Sequence, residues 1–163
     1  MPDKLTPTQR HYCMSRIRSK NTRPEWVVRR FLFKQGLRYR IHVKSLPGTP
    51  DIVIQKIRTC IFVNGCFWHG HKDCSLYVIP KSNTDFWTNK IARNQARDHE
   101  TQLALKALGW HTVNIWECQL RPKEREMTLK GLLRTLNFIQ LEDSGAKMKY
   151  RFEDEEVGMV AEE

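Results

Sequence analysis

Pro-Asp-Ile-Val-Ile at residues 50–54 opens the stretch that decides the fold, and Asn-Gly-Cys-Phe-Trp-His-Gly-His-Lys-Asp-Cys at residues 64–74 closes it. Between them, two apolar runs, Ile52–Ile54 and Cys60–Val63, flank a polar, basic segment. Short runs rich in β-branched residues around a polar turn predict two neighbouring strands. The stretch therefore predicts a strand pair that leads directly into a loop rich in Cys, His and aromatic residues.

Asp51 stands at the start of the first predicted strand, and Val63 and Asn64 end the second. If the two strands are antiparallel, these positions lie side by side at one edge of the sheet. The alternative is that Asp51 closes the turn formed by the preceding Pro-Gly-Thr-Pro and has no further role.

The loop after Gly65 carries a set of metal-ligand types at short spacing. Cys66, His71 and Cys74 can converge on one ion, and Cys118 follows a later apolar strand as a fourth donor. Zn²⁺ accepts mixed sulfur and nitrogen ligands, and four protein ligands make a closed, structural site. The alternative is that the cysteines are small buried hydrophobes and the histidines lie at the surface. His69 is left over near Asp51, free to act as an acid or base near neutral pH.

Longer strings of the sequence resemble one known family. They are Pro-Gly-Thr-Pro-Asp-Ile-Val, Asn-Gly-Cys-Phe-Trp-His-Gly-His, Pro80-Lys81-Ser82-Asn83, Phe86-Trp87, Lys90-Ile91, Asn94, Arg97-Asp98, Gly109-Trp110 and Trp116-Glu117-Cys118. The chain resembles the very-short-patch mismatch repair endonucleases over roughly residues 8–140. The resemblance implies a PD-(D/E)xK-type nuclease fold and a strand-specific nick next to the thymine of a T:G mismatch.

The resemblance also implies a magnesium-dependent active site. Asp51 and the backbone carbonyl of Val63 would hold Mg²⁺, and His69 would activate water. The wider superfamily has a second carboxylate where this chain has Phe62-Val63-Asn64. Some family members carry His at the position of Asn64, and since Asn cannot transfer protons, a hydrogen bond to phosphate is expected here. Glu25 would lie near the metal, although it is equally explained as a helix-capping residue after Thr22.

DNA contacts are implied for an N-terminal arm and for three aromatic residues. A predicted basic helix near residues 8–20 carries Met14, which would insert between bases from the minor-groove side, with Arg16 and Arg18 as phosphate contacts. The alternative for this helix is ordinary packing on the core. The aromatic residues expected to stack beside the mismatch, unless they are simply core residues, are Phe67, Trp68 and Trp87.

Charge is unevenly distributed along the 163 residues, whose formal net charge is +10. Residues 142–163 contain eight acidic and three basic residues, so residues 1–141 carry a net +15. A basic body suits a polyanion, most commonly nucleic acid, although a merely soluble basic protein is the alternative. We therefore expect a basic DNA-binding arm at 1–20, a nuclease domain with the zinc loop at 21–141, and a loose acidic tail at 142–163.

No apolar run is long enough for a membrane span, and no apolar signal core is present at the start. Five cysteines, an odd number with metal-like spacing, are typical of a reducing compartment. These features predict a cytoplasmic protein, associated with the bacterial nucleoid through its DNA substrate. We expect a monomer, with mismatch-repair proteins as further partners.

Apolar spacing predicts the remaining elements. Alternation at Leu37, Tyr39, Ile41 and Val43 predicts a first strand, and residues 110–116 predict a last one. Three helices are expected, and the apolar residues assigned to their buried faces are Val27, Val28, Phe31 and Leu32, then Leu103, Leu105 and Leu108, then Leu129, Leu132, Leu133, Leu136 and Ile139. The predicted fold class is α/β, a small mixed sheet flanked by helices with a structural zinc site.

The function predicted from these observations is Mg²⁺-dependent nicking of duplex DNA at T:G mismatches, which arise by deamination of 5-methylcytosine. Two alternatives stay open. One is a restriction-type endonuclease on the same fold, which reads a sequence without a mismatch. The other is a zinc-stabilised DNA-binding module without catalysis, which the Asn64 substitution keeps in consideration.

Overall fold

The computed structural model describes residues 4–17 and 19–159, of which residues 145–159 are described by backbone only. This part of the chain contains four α-helices and four β-strands. In chain order they are α1 (Pro7–Ser15), α2 (Arg23–Lys34), β1 (Arg40–Ile41), β2 (Ile52–Ile54), β3 (Thr59–Asn64), α3 (Thr84–Ala107), β4 (His111–Trp116) and α4 (Arg125–Met159).

The strands form one mixed sheet in the order β1-β2-β3-β4. β2 pairs antiparallel with both β1 and β3, whereas β3 and β4 run parallel from Thr59–His111 to Asn64–Trp116. A parallel pair needs a long crossover, and α3 supplies it. The predicted antiparallel strand pair around residues 52–63 is confirmed, and a short 3-10 turn at Gln55–Ile57 connects its strands.

Helices cover both faces of this sheet because successive residues of a buried strand point to opposite sides. Ile52 and Ile54 pack in a cluster with apolar residues of α2 and α4, including Leu32 and Leu136. Val53 points the other way and packs with Leu105 of α3. The predicted architecture, a small mixed sheet flanked by helices, is therefore confirmed.

The first strand is shorter than the alternation predicts. β1 contains only Arg40 and Ile41, and the Ile41 side chain, predicted to point inward, is exposed. The cause is the following residue: His42 has a φ of 46°, a left-handed conformation that ends the two-residue period. The backbone N–H of His42 then donates to the carbonyl of Asp51 at 3.2 Å, which ties this bend to the start of β2.

The long helix α3 also departs from the predicted apolar surface. Leu105 is fully buried as expected, but Leu103 and Leu108 are exposed. Two residues correspond to about 200° around a helix, so Leu103 lies on the side opposite Leu105. Leu108 lies at the C-cap, where Gly109 with a φ of 83° ends the helix as predicted.

The two ends of the chain differ from the central elements. α1 has no buried residue, so the alternative that it packs as an ordinary core helix is not supported. α4 continues past Ile139 to Met159 and thus enters the segment predicted to be a loose tail. No helix of residues 4–17 and 19–159 combines the length and apolar character that crossing a lipid bilayer requires.

Candidate active site

Asp51 is fixed at the edge of the sheet by the neighbouring strand. Its Oδ2 atom accepts a hydrogen bond of 2.8 Å from the backbone N–H of Val63. The contact follows from the antiparallel register, in which Ile52 pairs with Ile61 and Asp51 therefore lies beside the end of β3. Asp51 and Val63 are brought together as the sequence predicts.

The surroundings of Asp51 make its negative charge costly. Burial, the largest effect, raises the pKa of this carboxyl to about 6. The hydrogen bond from Val63 opposes the shift, and the nearby Glu25 carboxylate adds to it. A carboxylate with a raised pKa at the edge of a cleft is typical of a functional site, and a bound cation would offset the cost of its charge.

His69 faces Asp98 of α3. Its Nδ1 atom lies 2.6 Å from Oδ2 of Asp98, and both side chains are partly exposed. With the carboxylate accepting from Nδ1–H, the neutral imidazole keeps its lone pair on Nε2. Asp98 thus fixes the orientation of His69, the predicted general base, and no role for Asp98 was predicted from the sequence.

Helix α3 also holds the loop that carries His69. The side-chain amide of Asn94 donates to the carbonyl of Trp68 at 2.9 Å, and Gln95 donates to the carbonyl of Gly70 at 3.2 Å. A side chain on Gly70 would lie 2.3 Å from Gln95, so glycine permits this close approach as well as its φ of 62°. Asn94 and Asp98 share one helix face at a spacing of four residues, which is the sequence signal that could have identified them.

Glu25 is buried in a network of polar side chains. Its Oε2 atom accepts from Arg29 at 2.7 Å and from the backbone N–H of Asn21 at 3.1 Å, and lies 3.1 Å from Nε2 of His42. The predicted capping box is half correct: Thr22 accepts from the backbone N–H of Glu25, but the Glu25 carboxylate binds Asn21 instead of Thr22. The network holds the start of α2 against the bend at His42.

Glu25, His42 and Asp51 place their ligand atoms within 4.8 Å of one another. However, a terminal nitrogen of Arg29 lies 2.7 Å from Glu25 and 3.2 Å from His42. This guanidinium already supplies the positive charge that Glu25 requires and would repel a cation bound between Glu25 and His42. Asp51 is therefore the carboxylate of this group best placed to bind a metal ion.

Asn64 ends β3 between two open clefts. It is 9% exposed and lines a cleft of about 350 Å³ with Asp51, His69 and Asp98, as well as one of about 530 Å³ with Trp68 and His69. An amide at this position can donate or accept a hydrogen bond, but cannot serve as a general base. The two clefts share the predicted catalytic residues Asn64 and His69.

The predicted zinc ligands come together at the other side of the loop. The ligand atoms of Cys66, His71, Cys74 and Cys118 lie within 4.8 Å of one another, and Sγ of Cys118 is 3.5 Å from Nδ1 of His71. The loop after β3 supplies Cys66, His71 and Cys74, and the 3-10 turn after β4 supplies Cys118, as the spacing predicts. Three sulfur donors and one imidazole fit a tetrahedral Zn²⁺ site.

Further contacts orient these four side chains. The His71 ring stacks on Trp116 at 4.1 Å with an interplanar angle of 5°, and the backbone N–H of Cys66 donates to Glu117 at 3.3 Å. Burial raises the pKa of the Cys66 thiol to about 12, so metal binding there must displace a tightly held proton.

Phe67, Trp68 and Trp87 form one partly exposed aromatic cluster beside the larger cleft. The ring centroids of Phe67 lie 5.2 Å from Trp68 and 5.4 Å from Trp87, all in edge contacts. Phe86, half exposed, joins through Trp87 at 5.2 Å, and the Lys90 ammonium lies 5.4 Å from the Trp68 ring. These rings pack on one another at the surface and are not part of either core cluster of the sheet.

The N-terminal arm borders the same cleft. Met14 and Ile17 are exposed and line it together with Trp68 and His69. The Arg16 guanidinium lies 4.6 Å from the ring centroid of Tyr12. Arg18, predicted as a phosphate contact, lies outside the described residues.

Comparison with known proteins gives consistent matches. A family profile described as "DNA mismatch endonuclease Vsr" matches residues 2–76. The type II nicking enzyme V.XorIIP of Xanthomonas oryzae pv. oryzae (strain KACC10331 / KXO85) is 51% identical over 120 residues, which are 74% of this chain and 88% of that protein. V.NmeAIP, a type II nicking enzyme of Neisseria meningitidis serogroup A / serotype 4A (strain DSM 15465 / Z2491), is 47% identical over 123 residues, 76% of this chain and 87% of that protein.

The DNA mismatch endonuclease Vsr of Escherichia coli (strain K12) is 41% identical over 112 residues, which are 69% of this chain and 71% of that protein. Each alignment includes more than two thirds of the relative's own length at well over 30% identity. The chain therefore belongs to the family of Vsr DNA mismatch endonucleases.

Proposed function

We propose that this protein is a DNA mismatch endonuclease that nicks one strand of duplex DNA next to the thymine of a T:G pair. The observation that carries the proposal is the meeting of Asp51, the end of β3 and the His69–Asp98 pair at the smaller cleft. His69 also lines the larger cleft, beside the aromatic cluster. The relatives named as nicking enzymes and as a mismatch endonuclease support the same activity.

Asp51 and the backbone carbonyl of Val63 would hold Mg²⁺. Hard oxygen donors suit this ion, and the raised pKa of Asp51 indicates a charge that a cation would stabilise. When bound, the ion would supply charge stabilisation for the phosphate and its leaving oxygen. On this proposal, the core is of the PD-(D/E)xK type, with a carbonyl where other members have a second carboxylate.

His69 acts as the general base in this scheme. Its Nε2 atom takes a proton from the attacking water, while Asp98 fixes the ring and stabilises the imidazolium that forms. Asp98 is thus a positioning residue. Both side chains line the smaller cleft with Asp51, which brings the proton acceptor and the proposed metal ligand to the same space.

Glu25 and Asn64 have supporting roles. Glu25 is paired with Arg29 and His42, so we assign it to fixing the wall of the site beside Asp51 and not to binding the metal directly. Asn64 lines both clefts, and a hydrogen bond from its amide to a phosphate oxygen of bound DNA suits its chemistry.

Zn²⁺ is proposed as a structural ion held by Cys66, His71, Cys74 and Cys118. The donor set and its mutual distances support this assignment. The ion would fix the loop that carries Trp68 and His69, since its ligand Cys66 lies shortly before these residues in the sequence. Its role is therefore to position both the base and the aromatic cluster.

Mismatch recognition would use stacking by Phe67, Trp68 and Trp87, together with insertion of Met14 between bases from the minor-groove side. A mispaired step costs less to unstack than a matched one, so a stacking wedge selects it without reading every base. Partly exposed rings beside the cleft and a helix α1 without buried residues support this assignment. Arg16 and Arg18 would contact phosphates of the DNA backbone.

The test is nicking of one end-labelled duplex, with a T:G pair or a matched T:A pair, and with Mg²⁺ present or omitted. We expect one nick, in the thymine strand, for the T:G duplex with Mg²⁺ only. Equal cleavage of both duplexes would instead favour a restriction-type endonuclease. Tight binding without any nick would favour the DNA-binding module.

A further inference from the structure

The exposed side chains of α2 form one line along the helix. Five residues of the helix are exposed, at relative positions 0, 3, 7, 10 and 11, which follow one face of a 3.6-residue repeat. They are Arg23, Trp26, Arg30, Phe33 and Lys34, and we call them the α2 stripe. The opposite side of the helix, with Val28 and Leu32, is fully buried in the core.

All charge on the α2 stripe is positive. Glu25 is the only acidic residue in the helix, and it is 2% exposed and paired with the buried Arg29. Arg38 and Arg40, also exposed, follow shortly after the helix ends. This face therefore complements a polyanion.

The two aromatic residues of the stripe are unusual for a solvated helix face. Phe33 is 77% exposed and Trp26 is 47% exposed, and they lie seven residues, or about 10 Å, apart along the helix. The buried guanidinium of Arg29 lies 5.0 Å from the centroid of the Trp26 ring and holds it from the protein side. Arg30 lies 6.0 Å from the same ring. The ring is thus held in place while nearly half of its surface stays accessible.

We propose that the α2 stripe binds single-stranded DNA. Proteins usually bind unpaired strands with basic side chains that follow the sugar–phosphate backbone. Aromatic rings between these side chains stack on the bases. A duplex offers its bases only at groove edges, and phosphate contacts to it need no aromatic rings. An acidic protein partner would complement the charges, but the two ring surfaces match the flat faces of unpaired bases.

The stripe begins next in sequence to residues that line the larger cleft. Thr22 and Pro24 line that cleft, and Arg23 lies between them in sequence at the start of the stripe. A strand that leaves the cleft can therefore continue along α2. The stripe is separate from the aromatic cluster of Phe67, Trp68 and Trp87, to which duplex recognition is assigned above. Binding of a single strand to the α2 stripe does not depend on nicking. A role of the stripe in holding the strand end that a nick releases rests on the proposed function.

The test measures binding of a fluorescein-labelled thymidine 16-mer by anisotropy, with the full-length protein in buffer without Mg²⁺. Saturating unlabelled T:G duplex is added in a second series, so that the duplex site is filled. We expect the parent to bind the 16-mer in both series. Trp26→Ala combined with Phe33→Ala should weaken this binding by about 30-fold or more, the loss of two stacked bases. T:G duplex affinity should stay within about twofold.

Phe138→Ala is the matched control, because Phe138 is a 61% exposed aromatic residue on α4. It should leave 16-mer binding unchanged. Phe33→Ala alone removes an exposed side chain without threatening the core and should weaken binding on its own, so the result does not depend on the Trp26 change folding normally. Arg30→Ala should lower the salt dependence by about 0.7 in the logarithmic slope, one phosphate contact to a single strand.

Three results would overturn the proposal. One is complete displacement of the 16-mer by T:G duplex, which would place both ligands in one site. Another is unchanged 16-mer affinity in the folded Phe33→Ala and double variants, which would leave the face to a protein partner. The third is an equal loss of duplex affinity in those variants, which would assign the stripe to flanking duplex.

Discussion

Nδ1 of His69 lies 2.6 Å from Oδ2 of Asp98, so a residue of α3 fixes an imidazole on the loop that follows β3. The contact joins residues that are far apart in sequence, and it gives the ring one orientation in which Nε2 is not engaged by Asp98. His69 and Asp98 therefore act as a unit, in which the carboxylate matters only while the histidine is present.

Asp98→Asn should reduce the single-turnover nicking rate of a T:G duplex by roughly 10²-fold or more, since a positioned general base contributes about 10²–10⁴-fold. His69→Ala should cost a similar factor, and the double variant should be little worse than either single variant. Affinity for the duplex, measured without Mg²⁺, should not change. Asp85→Asn, an exposed carboxylate near the start of the same helix, is the control. Full activity of Asp98→Asn would refute the assignment.

The raised pKa of Asp51 predicts a pH-dependent stability. The folded-state pKa of about 6 exceeds the unfolded value of 3.8, so the folded protein holds this proton more tightly. The free energy of unfolding contributed by Asp51 therefore falls as pH rises from about 4 to about 6. Asp51→Asn keeps an acceptor for Val63 N–H and removes the buried charge.

Without Mg²⁺, Asp51→Asn should be more stable than the parent by about 3 kcal/mol at pH 8, from about two pKa units, and by clearly less at pH 4.5. Denaturant unfolding of both proteins at the two pH values measures this difference. Added Mg²⁺ should stabilise the parent at pH 8 and not the variant. A stabilisation that is the same at both pH values would show that the buried charge is not its cause.

Cys118→Ser should lower the melting temperature even without DNA. A closed zinc site contributes its binding free energy to folding, and in a domain of this size each kcal/mol corresponds to about 2–4 °C. We expect a decrease of at least about 5–10 °C, together with loss of the single zinc ion that metal analysis should detect in the parent. Cys13→Ser, which changes an exposed cysteine of α1, should alter neither quantity. Purified parent protein without zinc would exclude the site.

Trp68→Ala should narrow the difference in binding free energy between T:G and T:A duplexes by roughly 1–3 kcal/mol, the value of one stacking contact. Trp87→Ala should act in the same direction, with Phe67→Ala and Met14→Ala following. Arg16→Ala should instead weaken both duplexes alike and reduce the salt dependence of binding. Circular dichroism and melting curves must first show that each variant is folded. A folded Trp68→Ala protein with undiminished discrimination would rule out the wedge.

Local sequence patterns predict the parts of the site that depend on strand pairing. Asp51 and Val63 come together because the register of one antiparallel pair places them there, and two apolar runs around a turn are enough to predict that pair. The convergence of Cys66, His71, Cys74 and Cys118 was likewise predictable, since three of the four lie within nine residues.

Contacts across the fold were not predictable in the same way. Asp98 meets His69, and Arg29 meets His42, only through the packing of helices against the sheet edge. Ile41 has the alternation of an inward strand residue, but the left-handed backbone of His42 overrides it. Each of these features depends on tertiary packing, and the periodicity of a single segment gives no information about that packing.

The central claim is that Asp51 holds the catalytic metal of a mismatch nicking enzyme, and Asp51→Ala tests it most directly. The measurement is single-turnover nicking of an end-labelled T:G duplex with Mg²⁺, beside duplex binding of the same protein without Mg²⁺. We predict that Asp51→Ala binds the T:G duplex like the parent but produces no nick, whereas the parent nicks the thymine strand. Equal nicking by Asp51→Ala and the parent would contradict the claim.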